Sequence, residues 1–273
     1  DPPRETYVLV RGDFRTRGER VQPGTPSFLP SLPAGPTNRL TLARWLVSKE
    51  HPLTARVTVN RYWSMLFGSG LVKTANDFGS QGEWPSHPEL LDFLAVRFRD
   101  GGTGAATTQR RGQKTPHLKP WSVKDQLRLM VTSATYRQSS RIRPEHLERD
   151  SENRWLSRGP SVRLEAEIIR DSALRASGLL SDTMGGPGVY PPQPSGVTEV
   201  AYGGAAWPTS QGQDRYRRSL YTFTKRTAPF AMFNTFDAPT GESCLARRDT
   251  SNTPLQALTL LNDIFFIEVS QAM

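Results

Sequence analysis

The sequence holds a single cysteine, Cys244, in 273 residues. That excludes an internal disulfide framework and any zinc site built from several thiolates. Histidine is equally scarce: His51, His87, His117 and His146 are the only four. They leave little for a histidine-rich metal centre, and no cofactor is expected. No apolar run approaches the ~20 residues that a bilayer span requires. Lysine is nearly missing, since twenty-nine of the 35 cationic residues are arginine. The usual catalytic signatures are missing too. There is no Gly-x-Ser-x-Gly elbow, no Gly-x4-Gly-Lys-Ser/Thr loop, no His-Glu-x-x-His and no Cys-x-x-Cys-His haem attachment. No basic stripe with interleaved aromatics marks a nucleic-acid binder.

The residues present are those of a folding chain. Hydrophobic residues make up 36% and charged residues 22%, enough to bury a core and too apolar for a disordered chain. The length suits two domains or one irregular one. Net charge is +9. Arginine's planar fork fits carboxylate, sulfate or phosphate with two parallel bonds. Pairing with the 26 acids is nevertheless the commoner use of arginine on a protein surface. Arg110, Arg111, Lys114 and Lys119 concentrate positive charge in 101–120, a stretch without periodicity that reads as a flexible insertion. The chain opens at Asp1 without a targeting segment and ends at Met273 in a helical pattern, which suggests a mature or excised piece of a longer protein.

Periodicity predicts a mainly α-helical fold. Residues 1–37 form an extended segment, with a strand over Thr6–Val10 and a linker carrying Pro23, Pro26, Pro30, Pro33 and Pro36. Residues 38–273 form an irregular helical domain with long Pro/Gly-rich loops. Helices are expected after Asn38, over 53–67 with Gly68 or Gly70 as terminator, and over 162–180 with Leu164, Ile168, Ile169, Ala173, Ala176 and Leu180 inward. Ser86, Ser122 and Thr253 each precede an acid or amide by three residues, a capping-box pattern. A long loop over 183–214 carries Tyr190, Tyr202 and Trp207. Ser219–Thr224 alternates apolar and polar, predicting a strand that pairs with Thr6–Val10. Trp45, Trp63, Trp84, Trp121 and Trp155 fall on or beside helical patterns and are read as core.

Three clusters carry candidate chemistry. Asp77 and His87, with Asp92 nearby, offer an acid/base pair or two metal ligands, or else a turn former and a local helix-start contact. Glu165, Glu167, Arg170 and Asp171 form either a carboxylate pair able to hydrolyse a glycosidic bond or a salt-bridged face. The run Arg217, Arg218, Lys225, Arg226, Asp237, Glu242, Cys244, Arg247, Arg248, Asp249 and Thr250 suits a pocket gripping an anionic group, or an ion-pair network. Cys244 has no histidine near it in sequence to act as base. The ligand-binding candidates are Arg217, Arg218, Arg226, Arg247 and Arg248 from the third cluster and Trp207 from the long loop. The catalytic candidates are Asp77, His87, Asp237 and Glu242. No metal-binding residue is assigned.

Seven ordered runs are shared with one family. They are Asn60-Arg61-Tyr62-Trp63 with Phe67-Gly68-Ser69-Gly70-Leu71-Val72, Asp77-Phe78-Gly79 with Pro85-Ser86-His87-Pro88-Glu89-Leu90-Leu91-Asp92, and Ser133-Ala134-Thr135-Tyr136-Arg137-Gln138-Ser139-Ser140. The rest are Arg163-Leu164-Glu165-Ala166-Glu167, Arg218-Ser219-Leu220-Tyr221, Phe236-Asp237-Ala238-Pro239 and Thr253-Pro254-Leu255-Gln256-Ala257-Leu258. From about Tyr7 to Asn262 the chain resembles the planctomycete-specific C-terminal domain of unknown function, family 1553. It departs at 101–120, where the family passes almost directly to the counterpart of Trp121. The resemblance implies an exported protein, with a cytochrome-c-type domain and a second planctomycete domain upstream, in bacteria that consume complex and often sulfated polysaccharides. It implies no catalytic residue. The expectation is an extracytoplasmic, non-haem module that binds anionic polysaccharide or docks to its cytochrome-bearing partner domains. The alternative is a hydrolase acting on a glycan or ester. No nucleic-acid partner and no membrane span are expected.

Overall fold

A computed structural model describes residues 4–102, 119–198 and 206–273. Most of the 101–120 stretch, with His117, and the loop residue Tyr202 lie outside the described residues. The architecture is mainly α-helical with one small two-stranded sheet. The chain divides into two compact units, Asp1–Ser161 and Val162–Met273.

The first unit opens with an antiparallel hairpin of β1 (Thr6–Leu9) and β2 (Arg17–Val21). The intervening turn is shaped by Asp13, whose Oδ1 accepts from the Arg15 amide at 2.9 Å. This corrects the expected pairing of Thr6–Val10 with Ser219–Thr224. A partner one short loop away costs far less loop entropy than one two hundred residues on. The proline-rich segment then runs to α1 (Arg39–Leu46), capped by Asn38. Its Pro30 carbonyl accepts from the Trp45 indole at 2.7 Å.

Helix α2 (Thr54–Phe67) stops at Gly68, whose φ of +85° is costly for other residues. It packs with α3 (Pro88–Asp100) and α4 (Val123–Thr132). Val59, Trp63, Leu91, Leu94, Phe98 and Met130 form the core between them. Ser122 caps α4 as its sequence predicts. Ser86 does not cap α3: His87 occupies the cap position without a side-chain bond to the helix, and the Ser86 hydroxyl pairs with His87 Nδ1 at 3.0 Å. Short helices α5 (Ala134–Arg137) and α6 (Pro144–Arg149) follow.

The second unit is built around α7 (Ala166–Ala176). The helix is shorter than the predicted 162–180, and its inward face matches the prediction only in part: Ile169 and Ala173, with Leu180 beyond its end, pack on the core as expected. Ala166, Arg170 and Leu174 are buried, while Leu164, Ile168 and Ala176 are exposed. The reason is Arg170. Its guanidinium donates to the Arg217 carbonyl at 2.8 Å and the Arg215 carbonyl at 2.9 Å, over the Phe265 ring. These bonds compensate the burial of a charge that a hydrophobic pattern assigns to solvent. Burial lowers its pKa to about 10, and Asp171 opposes the fall.

The neighbouring Asp171 helps explain why Ser219–Thr224 is not a strand. Ser219–Tyr221 is one 3-10 turn, with the Ser219 amide bound to Asp171 Oδ1 at 2.7 Å. The Tyr221 and Thr222 amides turn back to the Arg218 and Ser219 carbonyls, and Thr222 makes only an isolated bridge to Val189. Helices α8 (Ala231–Thr235), α9 (Pro254–Asn262) and α10 (Ile264–Ala272) complete the unit. Thr253 and Gln256 form the expected capping box on α9.

Candidate functional site

A cavity of about 420 Å³ opens in the first unit, lined by the first turns of α2 and α3 and by the loop that joins these helices. The sequence builds it from buried anchors outward. His51 is buried, and its Nδ1 accepts from the Thr54 amide at 3.2 Å while meeting the Thr54 hydroxyl at 2.9 Å. That contact satisfies free N–H groups at the start of α2 and fixes the turn carrying Leu53 and Arg56. The Asn60 side chain holds both backbone polar groups of Val72. The Ser86 amide bonds the Leu71 carbonyl at 2.8 Å. Thr74 staples the loop across itself, donating to the Asp77 carbonyl at 2.9 Å and accepting from the Glu83 amide at 3.0 Å.

The lining combines Leu53, Phe78 and Leu91 with the charged Arg56, Glu83 and Asp92. Arg56 Nε donates to Asp92 Oδ1 at 2.7 Å. Glu83 pairs with Arg154 at 3.4 Å. Trp84 lines the cavity and is 87% exposed. Trp155 is 67% exposed and meets the His87 ring edge-on at 6.0 Å. Both tryptophans were expected in the core. Trp45 and Trp63 are indeed buried, and Trp121 packs against Phe98. Trp84 follows Gly82 and precedes Pro85 on the loop rather than on a helix, so no helical face carries it inward.

Asp77 and His87 both belong to this loop, but no hydrogen bond joins them among the described residues. Asp77 Oδ1 accepts from the Gly79 amide at 2.7 Å, the arrangement of a turn former. His87 is engaged with Ser86 and Trp155. The other two catalytic candidates lie in the second unit. Asp237 accepts from the Ser251 amide and hydroxyl, each at 2.7 Å, and from Gln256 at 3.3 Å. The Ser251 bonds, amide first, hold the Asp237 carboxyl below its ordinary range against the effect of burial. It is therefore a poor proton donor at neutral pH. Glu242 is exposed, its amide bonded to the Thr240 hydroxyl.

The candidate anion-binding residues are mostly engaged. Arg217 is 2% exposed, donates to the carbonyls of Pro187 and Gly185, and lies over the Tyr221 ring. Arg218 faces Asp171 at 3.7 Å. Arg248 binds Glu167 at 2.6 Å and Glu165 at 3.6 Å. Arg226 and Arg247 are exposed. Trp207 donates its indole N–H to the Pro191 carbonyl at 2.7 Å and stacks with Phe230. Here the run of alternating charge is chiefly an internal network. Three of the shared motifs meet in it: Arg163 donates to Gln256 Oε1 at 2.6 Å, and Gln256 reaches Asp237 and Ser251.

Sequence reasoning found the Asp77–Asp92 stretch but missed Arg56, Glu83 and Trp84. Arg56 joins Asp92 only through the packing of α2 on α3. The signal that could have found Trp84 is its placement between Gly82 and Pro85, in a segment with no helical period. Among the described residues no group of three or more His, Cys, Asp or Glu side chains could hold a metal ion. No described helix is long and apolar enough to cross a membrane.

The fold and the pocket define a mainly helical domain with a solvent-open aromatic cavity held on two helix starts. The family model described as PSD1, a protein of unknown function (DUF1553), matches residues 38–273, and the chain belongs to that family. No curated protein and no solved structure matches it.

Proposed function

We propose that this domain is the glycan-binding, non-haem module of an extracytoplasmic polysaccharide-utilisation protein, working beside cytochrome-c-type domains of the same polypeptide. The observation that carries the reading is Trp84. A tryptophan 87% exposed on the wall of a 420 Å³ cavity loses apolar hydration only when a ligand covers it. The C–H face of a pyranose ring is a flat apolar surface of matching size. Its hydroxyls need donors and acceptors in fixed positions, and Arg56 and Asp92 supply one of each. The exported setting and the cytochrome-bearing partners come from the family resemblance alone.

Affinity electrophoresis in gels containing soluble polysaccharides tests the reading. The wild-type chain is retarded by at least one polysaccharide, and Trp84→Ala migrates as in the empty gel. Because Trp84 contributes little to the core, the variant retains the wild-type circular dichroism. Failure of every polysaccharide to retard the wild type overturns the proposal.

A further inference from the structure

We infer that the sugar unit taken by this pocket is uncharged, although the chain as a whole carries +9. The inference rests on the glycan reading above and narrows its ligand class. The charged lining consists of Arg56, Glu83 and Asp92, one cation and two anions. Each is already paired: Arg56 with Asp92 at 2.7 Å, and Glu83 with Arg154 at 3.4 Å from outside the lining. A carboxylate or sulfate taken by the Arg56 Nη hydrogens stands beside Asp92, which already neutralises the guanidinium, and shares the lining with Glu83. Like-charge juxtaposition of that kind opposes binding. A cationic amino sugar meets Arg56 instead. A neutral ring meets neither penalty.

The pair is also arranged to read hydroxyls. Arg56 uses Nε alone towards Asp92, and Asp92 uses Oδ1 alone. The Arg56 Nη hydrogens and Asp92 Oδ2 therefore present donors beside an acceptor, a complement to vicinal hydroxyl groups, which both give and accept. Trp84 supplies the stacking face. None of the arginines expected to grip an anion lines this pocket, and two of them are spent elsewhere: Arg217 on carbonyls and Arg248 on Glu165 and Glu167.

The test is quantitative binding of the whole chain to four immobilised polymers: a neutral β-glucan, a polyuronate, a sulfated galactan and chitosan. The expected result is preference for the neutral polymer, nearly flat between about 20 and 500 mM salt. Trp84→Ala weakens it at least about tenfold, and Asp92→Asn weakens it while leaving the rank of polymers unchanged. Salt-sensitive preference for the polyuronate or the sulfated polymer, lost in Arg56→Gln, overturns the inference and leaves the glycan reading standing. Preference for chitosan lost in Asp92→Asn does the same. Binding to none of the four overturns the inference together with the reading beneath it.

Discussion

The Asn60 carboxamide closes a ring on the backbone of Val72, with Nδ2 donating to the carbonyl and Oδ1 accepting from the amide, each at 2.9 Å. Both residues are buried. A side chain on α2 thus substitutes for the sheet neighbour that an extended buried segment lacks. Asn60→Ala leaves two backbone groups without partners, at about 1–3 kcal/mol for each. The first unit is expected to lose about 2–6 kcal/mol on that basis, read as a fall in its urea midpoint. Asn60→Asp keeps the acceptor for the Val72 amide but loses the donor and faces the Val72 carbonyl with a charge, so it does not restore wild-type stability.

Arg170 plays the corresponding part in the second unit. Its two Nη atoms serve different carbonyls, those of Arg217 and Arg215. A lysine ammonium cannot span that fork in one plane. Arg170→Lys is therefore expected to destabilise nearly as much as Arg170→Met, by about 2–6 kcal/mol for two carbonyls left without donors. Calorimetry of both variants checks it, and near-wild-type stability of the lysine variant would count against the two-carbonyl geometry.

These two residues also mark where sequence pattern stops being informative. Helix boundaries were legible wherever a local device sets them: Asn38, Ser122, Thr253 and Gly68 act within a turn of their own position. The face of α7 was legible only in part: Ile169 and Ala173 pack on the core as their period predicts, and Arg170 does not follow it. A hydrophobic period treats arginine as outward, and only the backbone carbonyls of a loop some 45 residues further on make Arg170 an inward residue. The pocket was half legible for the same reason. Asp77, His87 and Asp92 lie in one recognisable run, whereas Arg56 enters through tertiary packing alone. The arginine-rich run of 217–248 was visible as charge, but charge does not tell an anion site from a network whose acceptors are the protein's own carbonyls and carboxylates.

Acid acts on Asp237 with a definite sign. Its folded pKa lies below the ordinary 3.8, chiefly through the Ser251 amide and hydroxyl. A carboxylate depressed on folding contributes stability that is complete above the unfolded value and is lost as pH falls through the lowered one. Asp263 runs the other way, since burial raises its pKa and the Phe265 amide only partly offsets that. Its contribution is complete below the unfolded value and is lost as pH rises through the raised one. Asp237→Asn is therefore expected to flatten the acid limb of the stability curve of the second unit. Denaturation series at successive pH values from neutrality downward give the slopes, and an unchanged acid limb would show that the Ser251 contacts do not persist in solution.

His51 offers a cleaner test of how the pocket's helix start is held. Its Nδ1 accepts from the Thr54 amide at 3.2 Å, in the role that an Asn or Asp cap performs elsewhere. His51→Ala frees these groups and removes an edge contact with Trp45 at 4.4 Å. His51→Asn restores an acceptor without the ring. Hydrogen exchange at the amides of Leu53 and Thr54 should accelerate in the alanine variant and recover in part with asparagine. Equal acceleration in both would assign the stability to ring packing rather than to the cap.

The shape of the pocket can be altered without touching any residue that faces a ligand through charge or stacking. Gly82 sits where a Cβ would stand 2.3 Å from the Asp77 carbonyl oxygen and 3.1 Å from Thr74 Oγ1. The first of these is backbone, so Gly82→Ala must push the loop away from the Thr74 staple. Glu83 and Trp84 follow directly in the chain and move with it. The helices below are held by the core of Val59, Leu91 and Leu94, which the loop shift leaves in place. Gly82→Ala should therefore lose glycan binding by about tenfold or more at a cost of about 1–3 kcal/mol for overpacking. Gly24→Ala, whose Cβ meets nothing within 4 Å, should change neither. Retained binding in Gly82→Ala would mean that Trp84 reaches its ligand from more than one loop conformation, and the preorganised platform would have to be given up.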